Sequence, residues 1–201
     1  MIKPFAEQKF DIPDLDGISK KTIEEHLGLY AGYVKNFNAI QSELQKMMMG
    51  DNPHTLSELQ RRLSFEFGGM RLHEYYFNHL EGGAKEATGE FLSKVNEQFT
   101  SIEGLKKLMK NIGLMRGPGW AILYWDKKSG QFLTSFSGEQ HMGHFVTLPI
   151  ILAIDVWEHA YILDQGAQGK GKYIDAFFAN LNWQSAEQNF LTAQAGSAAK
   201  Q

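Results

Sequence analysis

The amino-acid sequence predicts an α+β fold, in which an N-terminal two-helix hairpin is followed by a C-terminal α/β unit with a three-stranded antiparallel sheet. Three observations lead to this prediction. Apolar residues recur at three- and four-residue spacing through residues 19–80, as they do in amphipathic helices. Three strand-like runs follow between residues 120 and 154. The pair Gly82-Gly83 separates the two patterns, since consecutive glycines interrupt a helix.

The first half of the chain contains the two predicted helices. Ser19 is placed to cap the first, because a serine hydroxyl accepts a hydrogen bond from a free amide at a helix start. This helix is expected to end near residues 47–49, before the helix-breaking sequence GDNP. The second helix is expected to begin near Thr55 or Ser57 and to end at Gly82-Gly83.

The second half combines helices and strands. A helix is expected over residues 91–109, where apolar side chains keep helical spacing. The remaining strands and helices are expected, in chain order, over residues 120–125, 131–136, 146–154, 173–181 and 184–191. We therefore divide the chain into a helical hairpin domain, residues 1–83, and an α/β domain, residues 84–201.

The composition narrows the class of protein. The chain has 201 residues and a formal net charge of −3, which argues against a nucleic-acid partner because such proteins need a basic surface. It has no cysteine, which excludes disulfides and thiolate nucleophiles, so any metal must bind to nitrogen and oxygen. No segment has the apolar length of a signal peptide or a membrane span, and we expect a cytoplasmic protein without a membrane partner.

The strongest local motif is Asp155-Val-Trp-Glu-His159, after the apolar run LPIILAI. An aspartate at the end of a strand and a histidine four residues later can converge on one cation. The alternative is a helix-capping aspartate followed by a packed histidine. His26 and His73 lie among apolar residues of the predicted helices, where each imidazole needs a polar partner. One ion would satisfy all four side chains, and this donor set suits manganese, iron or zinc.

Several longer motifs resemble the iron/manganese superoxide dismutase family. DVWEHAY at residues 155–161 is the most specific of them. The family's pattern is also matched, in the same order, by His26 with GYVKNFN, then by FEFGGMRLHEYYFNHL, GPGWAIL and DAFFANLNW. The resemblance covers nearly the whole chain. It implies the family's reaction, in which a redox-cycling metal converts superoxide to dioxygen and hydrogen peroxide.

The resemblance also implies a role for each matched residue. Tyr33 corresponds to the tyrosine that guards the substrate channel, and Trp120 and Trp157 correspond to the aromatic wall around the metal. Glu158 corresponds to the residue that reaches a metal-ligating histidine of the partner subunit across a homodimer. The ligands of one manganese or iron ion per subunit are, by the same resemblance, His26, His73, Asp155 and His159.

Departures from the family's pattern concern the dimer. The spacing from His26 to Tyr33 is one residue shorter than usual, and Leu29-Tyr30 replaces a histidine pair. Ile162 stands where the family has a tyrosine that pairs with one of those histidines across the interface. Because both polar partners are absent together, neither is left unpaired, and we expect an apolar contact between Leu29 and Ile162 in their place.

The choice of metal depends, by this resemblance, on a glutamine that hydrogen-bonds the metal-bound solvent. The iron-type position of this residue is Gly69, so the donor is expected from the stretch GEQHMGHF, where alignment on LPIILAID gives Gln140. His141 is the adjacent alternative if the alignment is shifted by one residue. We therefore expect manganese to be favoured, with use of either metal.

Two other functions compete with dismutation. A metal-dependent hydrolase needs a general base beside its metal, and no free carboxylate is well placed for that role. A non-catalytic, metal-stabilised dimer module is compatible with the lost histidine–tyrosine pair. A third pattern, GAQGKGK, fits a phosphate-binding loop, but Tyr173 replaces the required serine or threonine. Lys170 or Lys172 in this stretch is instead a candidate for attracting an anion.

Overall fold

The computed structural model describes residues 3–47 and 52–196, and it confirms the predicted α+β fold. Two long helices form a hairpin, and shorter helices surround a three-stranded antiparallel sheet. No helix within the described ranges is long and apolar enough to cross a membrane. The elements are, in chain order, α1 (Lys20–Lys46), α2 (Pro53–Leu80), α3 (Gly89–Phe99), α4 (Ile102–Gly113), β1 (Trp120–Asp126), β2 (Gln131–Ser137), β3 (Ile150–Asp155), a 3-10 turn (Glu158–Ala160), α5 (Ile162–Gln165), α6 (Lys170–Asn180) and α7 (Trp183–Ala195).

Helix α1 begins as the sequence predicts. The Ser19 hydroxyl accepts a hydrogen bond from the Thr22 amide at 3.1 Å, which satisfies one of the free amides of the first turn. The helix ends at Lys46, and Met47 follows as its cap residue. The remainder of the stretch over which we expected the helix to stop, residues 48 and 49, lies outside the described residues.

Helix α2 begins earlier than the predicted start at Thr55 or Ser57. Asn52 caps it, because its side-chain oxygen accepts hydrogen bonds from the amides of His54 and Thr55. Pro53 occupies the first helical position, where the missing N–H removes no helical hydrogen bond. The helix ends at Leu80, with Glu81 as its cap residue, and the glycine pair follows, as predicted.

The single helix predicted over residues 91–109 is wrong, since α3 and α4 share this stretch. The chain turns at Thr100, whose φ of 70° lies in the left-handed region. Ser101 then caps α4 by accepting a hydrogen bond from the Gly104 amide. The helical spacing of apolar residues continues across the turn because both helices face one core, in which Val95 and Leu105 are fully buried.

The sheet has the strand order β2-β1-β3, and the central strand β1 is buried along almost its whole length. The third strand begins at Ile150, later than the predicted residue 146. Pro149 has no amide hydrogen to donate to a neighbouring strand. Thr147 has a φ of 69°, which differs from the negative φ of an extended strand. Trp120 at the start of β1 pairs with Asp155 at the end of β3. Both side chains therefore lie at one end of the sheet.

A buried histidine ties the hairpin to the sheet. His79 of α2 is fully buried, and its Nε2 accepts a hydrogen bond from the Ala153 amide of β3 at 3.3 Å. Its proton therefore lies on Nδ1, which donates to Ser185 Oγ of α7 at 2.7 Å. Burial lowers the pKa of His79 to about 3, so the imidazole is neutral in the folded protein at neutral pH.

We predict that His79 makes the protein less stable in mild acid. Below pH 6.5 the unfolded chain binds a proton at this residue while the folded chain does not, so the free energy of unfolding falls by at most about 1.4 kcal/mol per pH unit. His79→Gln, whose amide oxygen can accept the Ala153 hydrogen bond, should lose roughly 2 kcal/mol less than the parent chain between pH 7 and pH 5. Urea unfolding at both pH values measures this difference, and equal losses in the two chains would contradict it.

Candidate metal centre

Three parts of the fold bring the predicted metal ligands together. His26 lies in the second turn of α1, and His73 lies in the C-terminal half of α2, which packs against α1. Asp155 ends β3, and His159 lies in the 3-10 turn that follows that strand. The site is therefore at the junction between the helical hairpin and the sheet.

The ligand atoms of these four side chains all lie within 4.8 Å of one another. Asp155 Oδ2 is central, because the Nε2 atoms of His26 and His159 both lie 3.1 Å from it. The Nε2 atom of His73 lies 3.5 Å from the same oxygen. Two ligand atoms that are each about 2.1 Å from one ion, at an angle of roughly 90 to 110°, are about 3.0 to 3.4 Å apart. The cluster has the spacing of a metal site.

The protonation of His73 fits a metal ligand. Its Nδ1 lies 2.6 Å from the Gly69 carbonyl oxygen, which can only accept, so the ring proton is on Nδ1. Nε2 then presents a lone pair toward the Asp155 carboxylate and has no hydrogen-bond partner among the described residues. A buried lone pair facing a carboxylate is unfavourable unless a cation lies between them. The donor set, three imidazoles and one carboxylate, suits manganese, iron or zinc.

The pKa shifts leave one ionised carboxylate, that of Asp155, among the imidazoles of the cluster. Burial lowers the pKa of His26, and it lowers the pKa of His73 to about 3, so both rings are neutral at neutral pH. Burial opposes ionisation of Asp155, but hydrogen bonds and charge interactions with His159 and His26 hold its pKa well below the usual range. Burial also lowers the pKa of His159, yet the Asp155 carboxylate outweighs it and raises that pKa overall. A bound cation balances the carboxylate without protonating any ring.

Aromatic side chains enclose the cluster. The ring of Trp120 meets that of His73 edge-on at 5.1 Å between centroids, and the ring of Tyr33 lies 5.0 Å from His73. The ring of Trp157 stacks against that of His159 at 6.2 Å. Apolar walls of this kind exclude water and lower the local dielectric constant.

Gln140 joins two of these aromatic residues. The indole N–H of Trp120 donates to Gln140 Oε1 at 2.9 Å, and Gln140 Nε2 donates to the Tyr33 hydroxyl at 3.1 Å. Gln140 is fully buried. The neighbouring His141 packs its ring 5.6 Å from that of Phe65. Of the two residues that the sequence left as alternatives, Gln140 is therefore the one that contacts the other predicted site residues.

Two adjacent glycines in α2 make room for these contacts. A Cβ atom on Gly69 would lie 2.4 Å from the Tyr33 ring, and one on Gly68 would lie 1.9 Å from the Gln140 carbonyl oxygen. Any side chain at Gly69 would displace Tyr33, so the iron-type glutamine position is closed in this conformation. The family resemblance singles out Gly69 but not Gly68. The signal was available, because glycine inside a helix is unfavourable and often marks a close backbone approach.

The sequence also does not single out an ion pair near Tyr33 whose acidic member is buried. Glu66 is only 2% exposed, and its Oε1 accepts a hydrogen bond from Arg62 Nε at 2.7 Å. Burial raises the pKa of Tyr33 to about 12, and the Asp155 and Glu66 carboxylates add to this shift. The four-residue spacing of Arg62 and Glu66 indicates a pair on one helix face. Spacing alone does not reveal that this face is buried.

Glu158, Lys170 and Lys172 lie at the periphery. Glu158 is exposed. It lies next to His159, whose side chain is 24% exposed. The ammonium of Lys170 donates to the carbonyl oxygens of Met115 and Gly117 at 2.9 and 2.8 Å, so it holds a loop in place. Lys172 is exposed.

Comparison with known proteins agrees with the geometry. The family model for the C-terminal domain of iron/manganese superoxide dismutases matches residues 87–189. The chain is 34% identical over 179 residues to a superoxide dismutase (Fe) of Sulfolobus acidocaldarius, with 85% of this chain and 84% of the relative covered. It is 32% identical to the superoxide dismutase (Fe) of Saccharolobus solfataricus, covering 87% and 88%. It is 29% identical to the mitochondrial superoxide dismutase (Mn) of Glossina morsitans morsitans, covering 88% and 82%.

We predict that His73→Ala abolishes metal retention, because it removes a ligand nitrogen that faces the Asp155 carboxylate without a hydrogen-bond partner among the described residues. Losing one of four ligands should weaken binding by far more than tenfold, since the effect of changing even an outer-shell partner reaches about that size. Elemental analysis after dialysis against a chelator measures the bound metal. His54→Ala, at an exposed histidine of α2, is the matched control and should keep its metal. A His73→Ala protein with full metal content would overturn the assignment.

Proposed function

The chain belongs to the iron/manganese superoxide dismutase family, and on that premise we propose that it converts superoxide through one iron or manganese ion per subunit. Two superoxide anions and two protons give one dioxygen and one hydrogen peroxide. The observation that carries the proposal is the convergence of four ligand side chains on one buried point. The relatives that match this chain are named for the same activity.

His26, His73, Asp155 and His159 are the proposed ligands. Iron or manganese bound there supplies the one-electron chemistry, because each has two accessible oxidation states. His73 binds through Nε2, since its Nδ1 proton is held by the Gly69 carbonyl. Asp155 contributes the single negative charge of the set, so the site keeps a net positive charge with a di- or trivalent ion. That charge attracts the superoxide anion.

The other predicted site residues handle protons and exclude water. The Tyr33 hydroxyl accepts a hydrogen bond from Gln140, so its own proton is free to be donated toward the site. Its raised pKa keeps that proton in place at neutral pH. Gln140 is held by Trp120 on its other side, which fixes the direction of its amide. The rings of Trp120 and Trp157 keep bulk water from the ligands.

The competing functions lack this support. The relatives carry the name superoxide dismutase, which favours neither a hydrolase nor a non-catalytic module. Glu66 is a buried carboxylate in the neighbourhood of Tyr33, but it is paired with Arg62 and is not a free general base.

The direct test is a superoxide dismutase assay on separately manganese-loaded and iron-loaded protein, with metal content measured on the same samples. We expect activity from at least one loaded form, and none from His73→Ala. A fully loaded protein that is inactive with both metals would contradict dismutation and favour the non-catalytic module.

We propose that the site favours manganese and can also use iron. The reason is that the glutamine amide expected beside the metal comes from Gln140, whereas Gly69, at the iron-type position, has no side chain. The relatives carry both metal names.

We predict that Gln140→His changes the ratio of manganese to iron activity while metal content stays nearly full. The hydrogen-bond donor at this position influences the reduction potential, and about 59 mV changes the equilibrium constant of a one-electron couple tenfold. His141→Gln is the matched control, since its ring lies against Phe65. Activity ratios that follow position 141 and not position 140 would show that His141 is the donor.

A homodimer is part of the proposal. Glu158 is exposed beside the partly exposed His159, as a residue must be to reach across to a second subunit. Leu29 on α1 and Ile162 on α5 are 42% and 43% exposed. The turn that carries His159 contacts both α1 and α5. The apolar surfaces of Leu29 and Ile162 are available for the contact expected in place of the histidine–tyrosine pair. The domain division and the cytoplasmic location stay predictions from the sequence.

We predict that Glu158→Ala weakens self-association and activity together, because the carboxylate would hold a metal-ligating histidine of the partner subunit. Analytical ultracentrifugation at micromolar protein, with the activity assay on the same samples, measures both. Glu86→Ala, at another exposed glutamate, is the control. A parent protein that is monomeric at this concentration and fully active would contradict the proposed dimer.

A further inference from the structure

The segment that carries Gln140 has no regular secondary structure, yet its backbone is tightly placed. Residues 138–149 connect β2 to β3. Ser137 Oγ at the end of β2 donates to the carbonyl oxygens of Glu139 and Met142. The Gln140 carbonyl oxygen packs against Gly68 of α2, where a Cβ atom would overlap it. The backbone at Gln140 is thus held between the sheet and the hairpin.

His144 adds a link from this backbone to the central strand. Its Nε2 lies 3.1 Å from the Gln140 carbonyl oxygen, and its Nδ1 lies 3.1 Å from the Tyr124 hydroxyl. A carbonyl oxygen can only accept, so Nε2 carries the proton and donates it, while Nδ1 accepts from the tyrosine. Tyr124 is 1% exposed in β1, where its ring also packs 5.2 Å from Phe145. The imidazole therefore bridges a fixed strand and the residue that reaches the metal centre.

We propose that His144 is a positioning residue, which holds the Gln140 backbone so that the Gln140 side chain keeps its hydrogen bonds to Trp120 and Tyr33. This inference rests on the proposed function for its effect on catalysis. It rests on the geometry alone for its effect on Gln140.

The reason is that Gln140 must satisfy two partners on different elements at the same time. Trp120 lies on β1 and Tyr33 lies on α1, and their hydrogen bonds to the amide are 2.9 and 3.1 Å long. A shift of the Gln140 backbone by a few tenths of an ångström lengthens one bond or bends the other, and hydrogen bonds weaken steeply as they bend. Gly68 limits movement toward α2, and His144 limits movement away from it.

The test compares His144→Leu with His144→Gln. Leucine removes both hydrogen bonds, whereas the glutamine amide can donate to the Gln140 carbonyl from about the position of Nε2. Val146→Ala is the matched control in the same segment, because Val146 is 85% exposed. Tyr124→Phe removes only the outer hydrogen bond, and it takes the place of His144→Leu if that variant does not fold.

The first readout is the indole N–H signal of Trp120 in the nitrogen–proton NMR spectrum of the zinc-loaded protein. Zinc is diamagnetic and accepts the same nitrogen and oxygen donors. We expect His144→Leu to move this signal, and His144→Gln and Val146→Ala to leave it near its original place. The second readout is the activity of the manganese- or iron-loaded protein at full metal content, which should fall about three- to tenfold in His144→Leu and recover in His144→Gln.

An unchanged Trp120 signal in both His144→Leu and Tyr124→Phe would overturn the positioning role, whatever happens to activity. A moved signal with unchanged activity in a working dismutase would also overturn the catalytic part of the inference. If the parent protein is inactive with both metals, the proposed function fails, and the Trp120 signal still decides whether His144 positions Gln140.

Discussion

The buried carboxylate of Asp155 is the constraint on which the rest of the structure depends. It lies at the end of β3 with no exposed surface, and burial keeps the rings of His26 and His73 neutral around it. Burying that charge costs several kcal/mol, which its hydrogen bonds to His26 and His159 offset in part. The lone pair of His73 Nε2 makes the position still less favourable for an anion. A metal cation satisfies the carboxylate and the imidazoles at once, which links metal binding to the stability of the junction between hairpin and sheet.

That junction also explains why α2 contains adjacent glycines at its buried face. Glycine weakens a helix by about 1 kcal/mol relative to alanine, so two together need a compensating contact. Gly69 receives the Tyr33 ring, and Gly68 receives the Gln140 carbonyl oxygen. The helix therefore gives up intrinsic stability so that side chains from α1 and from the β2–β3 segment can approach the ligands. The carbonyl oxygen of Gly69 also orients the ring of His73. Gly69 therefore both holds a ligand and makes room for Tyr33 beside it.

The sequence predicts the parts of this arrangement that have a regular pattern. The periodicity of apolar residues gives the α+β class and the hairpin, and the spacing of Asp155 and His159 points to a shared cation. It does not reveal the turn at Thr100, because α3 and α4 bury their apolar faces in one core and the helical period continues through it. The late start of β3 follows from Pro149, which has no amide hydrogen, and from the positive φ of Thr147. The sequence alone does not show at which residue pairing with the neighbouring strand begins. Helical spacing predicts the pairing of Arg62 with Glu66, but the burial of Glu66 depends on the fold and leaves no distinct sequence signal.

The segment from 138 to 149 shows how a site residue can be placed where the motif is weakest. GEQHMGHF departs from the family's usual pattern, which is why the sequence alone leaves Gln140 and His141 as alternatives. In the fold, the position of Gln140 is set by Ser137, Gly68 and His144, which lie on β2, on α2 and four residues further along the chain. Each holds backbone atoms, and backbone atoms are the same in every residue. The intervening side chains are therefore free to differ, provided that these anchors hold the backbone and a glutamine amide reaches Trp120 and Tyr33. The site requires only that this segment hold the Gln140 backbone in one place, and several sequences can do so.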